Sequence, residues 1–123
     1  MKERKEFIEW AEKKYKKYEK VLKLQSYKVR IVFKNDLGNS LMQCTSRFPY
    51  KDPDVFYNNH TIEVWKKDKN EVERCLVHEM CHILTDAFYC KSLKRFTTQD
   101  EIEDERENLT DTIALIVYDV CLT

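Results

Sequence analysis

The sequence is poor in the residues that loosen or interrupt a fold: it contains one glycine and two prolines among 123 residues. Collagen-like and low-complexity chains are therefore excluded, and no Gly/Ser/Pro linker divides the chain. No apolar run approaches the roughly 18 residues of a membrane-spanning helix, and the lysine-rich start lacks the apolar segment of a secretory signal. With 42% apolar and 12% aromatic residues, residues 1–123 are expected to form a single soluble domain in the cytoplasm.

Neither charge nor cysteine content points to a nucleic acid or to a disulfide framework. Lys+Arg and Asp+Glu both number 22, so the net charge is zero, whereas nucleic-acid-binding domains carry a basic excess. The five cysteines are odd in number and no two of them have the CxxC spacing, so we expect buried thiols in a reducing compartment. The composition thus predicts neither a nucleic-acid partner nor a membrane partner.

The spacing of apolar residues predicts a helix followed by a small sheet. Steps of three and four, which are typical of a helix, connect Phe7, Ala11, Tyr15, Tyr18 and Leu22. From Tyr27 the period changes to two, which predicts about three strands. Strands are expected over residues 27–33, 41–48 and 61–66, with a loop over residues 49–60 because both prolines and Asn58-Asn59 fall there.

Two further helices complete the predicted order. Asn70 with Glu73 three residues later resembles a capping box and predicts a helix from there to about Phe88. Its apolar residues cover most of its circumference, so we expect it inside the domain. A last helix is expected to begin near Asp100, with a buried stripe of Leu109, Ile113, Ile116, Val117 and Val120. This order of elements is that of an α+β domain.

The predicted buried helix carries the residues His78-Glu79-Met80-Cys81-His82, an HExxH motif. Two histidines four residues apart project from one helical face, so both imidazoles can reach one tetrahedral zinc ion. Glu79 points beside the ion, where it can take a proton from a water molecule. The motif therefore predicts a site for one zinc ion, with His78 and His82 as ligands and Glu79 as the catalytic residue.

A catalytic zinc site normally has three protein ligands and leaves a fourth position for water. The elongated motif that ends in a third histidine is excluded, because Thr85 stands at its glycine position and Phe88 at its histidine position. The next acidic candidates lie on the last helix, between Glu103 and Asp111.

Two residues on the motif's own helix are alternative ligands. Cys75 precedes the first histidine by three residues, and Asp86 follows the second by four. Three ligands on one straight helix would crowd one side of an ion, which argues against Cys75. For Asp86 we expect a partner in the core or a salt bridge at the helix end.

The segment Glu107-Asn108-Leu109-Thr110-Asp111 resembles the later ligand helix of gluzincins, the thermolysin-like zinc peptidases. In that family a glutamate from a later helix is the third ligand, and an aspartate four residues on holds the first histidine through its free ring nitrogen. The resemblance implies Glu107 as the third zinc ligand and Asp111 as the carboxylate that orients His78. Glu103, one turn earlier on the same face, remains a rival ligand.

The element order is similar to that of minigluzincins and small phage-type zincin-like peptidases. The resemblance implies a zincin-like fold and a zinc metallopeptidase that hydrolyses a peptide or protein substrate, with Glu79 as general base and acid. The substrate would lie extended along an edge strand, expected at Thr61 to Trp65. The alternative is a non-catalytic zincin-like protein-binding or regulatory module in which the metal is structural or absent.

Two features of the predicted site stay open. The residue that stabilises the developing oxyanion is unassigned, with Tyr57, His60, Tyr89 and Tyr118 as candidates. It is also open whether a free thiol, such as that of Cys44, blocks the fourth zinc position and keeps the enzyme latent.

Overall fold

Four helices and three short strands make up the part of the chain that the computed structural model describes, residues 2–45, 52–92 and 99–122. In chain order the elements are α1 (Lys2–Leu22), β1 (Arg30–Phe33), β2 (Gln43–Thr45), β3 (Asp54–Tyr57), α2 (Asn59–Lys67), α3 (Lys69–Ser92) and α4 (Gln99–Leu122). The predicted α+β class is confirmed. Residues 46–48, the end of the predicted second strand, lie outside the described residues.

Helix α1 forms as its apolar stripe predicts. The five residues of the stripe are all buried: Phe7, Ala11, Tyr15, Tyr18 and Leu22. Phe7 occupies the centre of an aromatic cluster, with its ring centroid 4.9 Å from that of Tyr57 in β3 and 5.5 Å from that of Trp65 in α2. Burial of a side chain of this size contributes roughly 1.5–3 kcal/mol, so these contacts attach α1 to the sheet and to α2.

The strands form one mixed sheet in the order β1-β3-β2, with β3 parallel to β1 and antiparallel to β2. The central strand β3 buries Val55 and Tyr57 on one face. It lies within residues 49–60, so the loop predicted there is wrong. Pro53 immediately precedes β3, where its missing N–H removes no ladder bond, and its carbonyl accepts the backbone N–H of Arg30.

Residues 61–66 belong to helix α2, so the third strand predicted there is also wrong. The Asn58 side chain accepts the backbone N–H of Thr61, and the Thr61 hydroxyl accepts the N–H of Asn58. This capping box begins the helix. Thr61, Ile62 and Trp65 are buried with helical spacing. An apolar alternation over six residues is too short to distinguish a strand from one face of a helix.

The start of α3 is capped by Asp68 and not, as predicted, by Asn70. The Asp68 carboxylate accepts the backbone N–H of Asn70 at 3.1 Å. Glu73, predicted to complete a capping box, is instead buried; its carboxylate accepts the hydroxyl of Tyr18 at 2.5 Å and lies 3.3 Å from the ammonium of Lys14. Glu73 therefore connects α3 to α1.

The middle of α3 lies inside the domain, as its wide apolar arc predicts. The helix contacts α1, α2, β2 and α4, and it buries Val72, Leu76, Val77, Met80, Cys81 and Ile83. None of the helices that the structure describes combines the length and the apolar character needed to cross a membrane.

Helix α4 packs against α3, but only part of the predicted stripe is involved: Ile113 and Val117 are partly buried and pack against the core. Leu109, Ile116 and Val120 are 46%, 58% and 62% exposed, so their predicted burial is wrong. The buried residues of α4 are instead Ile102, Thr110, Ala114 and Tyr118. The Thr110 hydroxyl lies 3.0 Å from that of Thr85 in α3. The buried face of α4 thus combines apolar side chains with one polar contact to α3, one and two turns after the two histidines.

Candidate metal centre

The two histidines of the HExxH motif meet on one side of α3. Nε2 of His78 lies 3.1 Å from Nε2 of His82, and the two rings are almost perpendicular, at 81°. This proximity follows from helix geometry, because residues four apart are neighbours on one face. When both Nδ1 atoms carry the protons, the two Nε2 lone pairs are available to a single cation.

Helix α4 brings Glu107 to the same point. Its Oε1 lies 3.1 Å from Nε2 of His82, and its Oε2 lies 3.4 Å from Nε2 of His78. Among the described residues, His78, His82 and Glu107 are the one group of three whose ligand atoms lie within 4.8 Å of one another. Glu103, the rival ligand, is not part of that group. The structure thus brings together the three residues that the sequence singled out.

Asp111 contacts the far side of the first imidazole. Its Oδ1 lies 2.6 Å from Nδ1 of His78, the ring nitrogen that faces away from Glu107. A carboxylate at this position accepts the Nδ1–H, which fixes the tautomer and leaves the Nε2 lone pair free for a metal. The structure therefore places Asp111 where the resemblance implied it.

The second imidazole has its own carboxylate, Asp86, which has a partner in the core and a salt bridge, as expected, rather than a place among the grouped ligand atoms. Oδ1 of Asp86 lies 3.5 Å from Nδ1 of His82, one turn earlier on α3. The guanidinium of Arg106 in α4 lies 3.6 Å from the same oxygen, and 3.7 Å from Oε1 of Glu107. The spacing of four residues between His82 and Asp86 was the available signal, but nothing local identified Arg106 as the partner.

Glu79 lies beside the cluster, with its Oε2 4.0 Å from Nε2 of His78 and its side chain 12% exposed. Burial raises the pKa of this carboxyl to about 7, and the nearby carboxylates of Glu107 and Asp86 act in the same direction. His82 and the backbone N–H of Cys44, which donates to the carboxylate, oppose the increase.

The pKa of His82 is shifted by competing effects. Burial favours the neutral ring and lowers the pKa, but the neighbouring carboxylates of Asp86, Glu79 and Glu107 favour the charged ring and outweigh it, so that the net change is upward. Acidic groups therefore dominate the surroundings of His82.

Neither cysteine that we considered takes part in the cluster. Cys75 lines the larger cavity beside His78 but is not among the grouped ligand atoms. Burial raises the pKa of its thiol to about 11, which keeps the sulfur protonated near neutral pH. The Cys44 side chain packs against the hydrophobic core, and Cys44 is likewise outside the group of ligand atoms.

Of the three oxyanion candidates whose side chains the structure describes, one lies next to the site. Tyr118 in α4 lines the larger cavity together with His78 and Glu79. Tyr57 lies in the aromatic cluster, with its ring centroid 5.6 Å from that of Phe33. His60 lies on α2, with Nδ1 3.6 Å from Oε2 of Glu63. The side chain of Tyr89 lies outside the described residues.

Two cavities open beside the cluster; the residues just before β2 border both, and β2 itself borders the smaller one. The larger, of about 540 Å³, has a mainly apolar lining that includes Leu41, Met42 and Tyr118. The smaller, of about 230 Å³, is polar and includes Gln43 and Arg106. Strand β2 is an edge strand of the described sheet, and it lies next to the site. The sequence predicts that edge strand at Thr61 to Trp65, but these residues lie in α2.

Comparison of the chain with known protein families, with curated proteins and with solved structures finds no match in any of the three. What the chain does must therefore be inferred from its own residues and geometry.

Proposed function

We propose that this chain is a zinc-dependent metallopeptidase of the zincin type, with His78, His82 and Glu107 as ligands of one zinc ion. One observation carries the proposal. Tetrahedral zinc with ligands at about 2.0–2.1 Å requires the ligand atoms to lie about 3.3–3.4 Å apart. The two Nε2 atoms lie 3.1 Å apart, and each has one oxygen of the Glu107 carboxylate close to it, Oε1 at 3.1 Å from His82 and Oε2 at 3.4 Å from His78. Two imidazoles and one carboxylate are also a donor set typical of catalytic zinc.

The residues around the ligands have complementary roles in hydrolysis. When bound, zinc supplies a Lewis acid that polarises a substrate carbonyl and makes water more acidic. The Glu79 carboxylate accepts the proton of the attacking water at one Oε and then donates it to the nitrogen of the leaving amine. Asp111 holds Nδ1 of His78 and so keeps the Nε2 lone pair directed at the cation.

Strand β2 is the natural place for an extended peptide substrate. Its outer edge lies next to the cluster, since the backbone N–H of Cys44 donates to Glu79. A peptide that adds to this edge would form backbone hydrogen bonds and place its side chains toward the two cavities. Among the described side chains, Cys44, Cys75, Cys81 and Cys121 form no disulfide, which fits a reducing compartment such as the cytoplasm.

Replacement of Glu79 by glutamine tests the proposal. Glu79→Gln preserves the shape of the side chain but removes the base, so we expect zinc content equal to that of the wild type and loss of cleavage of a defined mixture of peptides. Zinc is measured by elemental mass spectrometry and cleavage by peptide mass spectrometry. Glu63→Gln, at an exposed position in α2, is the matched control and should cleave like the wild type.

Two results would contradict the proposal. A metal-free wild-type protein that does not take up added zinc would eliminate the metal site. A wild type that binds zinc but cleaves no peptide, with properties indistinguishable from those of Glu79→Gln, would support the non-catalytic zincin-like binding module instead.

A further inference from the structure

A closed ring of contacts connects the second histidine to the ligand from α4. His82 lies 3.1 Å from Glu107 through Nε2, and 3.5 Å from Asp86 through Nδ1. Arg106 completes the ring, with one guanidinium nitrogen 3.6 Å from Asp86 and the other 3.7 Å from Glu107. Two members of this ring lie on α3 and two on α4.

Three members of the ring are shielded from water, whereas the fourth, Glu107, is 46% exposed. The side chains of Asp86 and Arg106 are 13% and 25% exposed, and that of His82 is 10% exposed. The side chain of Asp111, which holds His78, is 63% exposed. Asp111 lies closer to its imidazole, at 2.6 Å, than Asp86 does at 3.5 Å. Because charges interact more strongly where water is excluded, the buried Asp86 can still orient His82 by charge, provided that Arg106 holds it in place.

We propose that Arg106 is a positioning residue that holds two carboxylates at once. It holds Asp86 beside Nδ1 of His82, and it holds Glu107 beside Nε2, the ring nitrogen that faces the proposed metal. The inference rests on the zinc site proposed above. Asp86 contacts Nδ1 and not the ring nitrogen that faces the other ligands, so it orients His82 and is not itself a ligand. By bridging α3 and α4, Arg106 sets the distance between the ligands that the two helices supply.

A purely structural salt bridge between α3 and α4 is the competing explanation, and it predicts a different result. Loss of a structural bridge would lower the stability of the metal-free protein and leave the zinc affinity of the folded fraction unchanged. Loss of a positioning residue would weaken zinc binding and change the geometry around the metal. Zinc affinity and the absorption spectrum of the cobalt-substituted protein distinguish the two.

The test compares Arg106→Met, Asp86→Asn and the double variant with the wild type. Zinc affinity is measured by competition with a chromophoric chelator, and coordination geometry from the visible spectrum of bound Co²⁺. We expect each single change to weaken zinc binding about 10- to 100-fold and to alter the Co²⁺ spectrum. The double variant should be little weaker than the single ones, because both changes break the same ring.

Two further variants serve as controls. Arg30→Met removes an exposed arginine that pairs with Asp54 through two hydrogen bonds, at 2.9 and 3.1 Å, and should leave zinc affinity unchanged. Arg106→Lys keeps the charge but not the two-sided geometry, and should recover part of the lost affinity. Circular dichroism of the metal-free proteins establishes that they fold; if Arg106→Met does not fold, the nearly isosteric Asp86→Asn still decides the result.

The outcomes separate this inference from the proposed function. If the wild type binds zinc and cleaves peptides while folded Arg106→Met and Asp86→Asn match it in zinc affinity and Co²⁺ spectrum, the positioning role is wrong and the peptidase proposal stands. If the wild type does not bind zinc, both are wrong.

Discussion

Replacing Glu107 by alanine removes the carboxylate that α4 supplies to the cluster. The two histidines remain, but they approach the ion from one side of α3, since their Nε2 atoms lie 3.1 Å apart. Loss of a contact that merely orients a ligand costs about 10- to 100-fold in metal affinity, and loss of a ligand should cost more. We therefore expect the Kd for zinc to rise at least about 100-fold, or about 2.7 kcal/mol.

Glu103→Ala is the matched comparison, because it removes an identical carboxylate from the same helix. Four residues of an α-helix separate Glu103 from Glu107 by about 6 Å along the axis, whereas zinc–oxygen bonds are about 2.0–2.2 Å long. Glu103 is instead held near the start of α4, where its Oε1 accepts the side-chain N–H of Gln99 at 3.0 Å. We expect its replacement to leave zinc affinity unchanged.

Both variants are assayed by chelator competition at fixed pH and ionic strength, after removal of metal and confirmation of helix content by circular dichroism. Loss of zinc binding in Glu103→Ala with retention in Glu107→Ala would refute the ligand assignment. Equal and small effects of both changes would mean that α4 supplies no ligand at all.

Three further predictions follow from other contacts. Asp111→Ala should weaken zinc binding about 10- to 100-fold, measured as above, while Asp119→Ala at an exposed position on the same helix should not; equal affinities would contradict the orienting role. Tyr18→Phe should lower the free energy of unfolding by about 1.5–3 kcal/mol in urea denaturation, because the buried Glu73 carboxylate loses a hydrogen-bond donor; a change below about 0.5 kcal/mol would disprove this. Cys81 is fully buried and burial raises the pKa of its thiol to about 12, so its thiolate fraction at pH 8 is about 1,000-fold below that of an ordinary thiol. Iodoacetamide should modify it only after unfolding, as measured by mass spectrometry, and equal rates in folded and urea-unfolded protein would be inconsistent with this burial.

Local pattern predicts α1, α3 and α4 and the strands β1 and β2, but it predicts neither α2 nor β3. The stripe from Phe7 to Leu22 spans several turns, so its period is unambiguous, and all five of its residues are buried. Residues 61–66 are too few to distinguish a period of two from a helical period. The capping box of Asn58 and Thr61 begins a helix there. The sequence does not predict the strand Asp54–Tyr57, because Pro53 and Asn58-Asn59 on either side of it are typical of a loop.

The sequence predicts the buried face of α4 only in part. Ile113 and Val117 of the predicted stripe pack against the core, but Leu109, Ile116 and Val120 are exposed. The helix is rotated so that Thr110 and Glu107 also face α3. This rotation depends on the surface of the neighbouring helix, which the pattern of one helix does not contain.

Within α3, the sequence alone determined the geometry of the site. A spacing of four residues places His78 and His82 on one face with Glu79 beside them, because the helical repeat is the same in every protein. That Glu107 and Asp111 lie near the histidines was implied by resemblance only. The packing of α4 on α3 brings these two residues, more than 20 positions away in the chain, within 3.4 Å of the histidines. The Asp86–Arg106 contact was decided by tertiary structure alone, since it joins two helices whose relative position depends on all the surfaces that they bury.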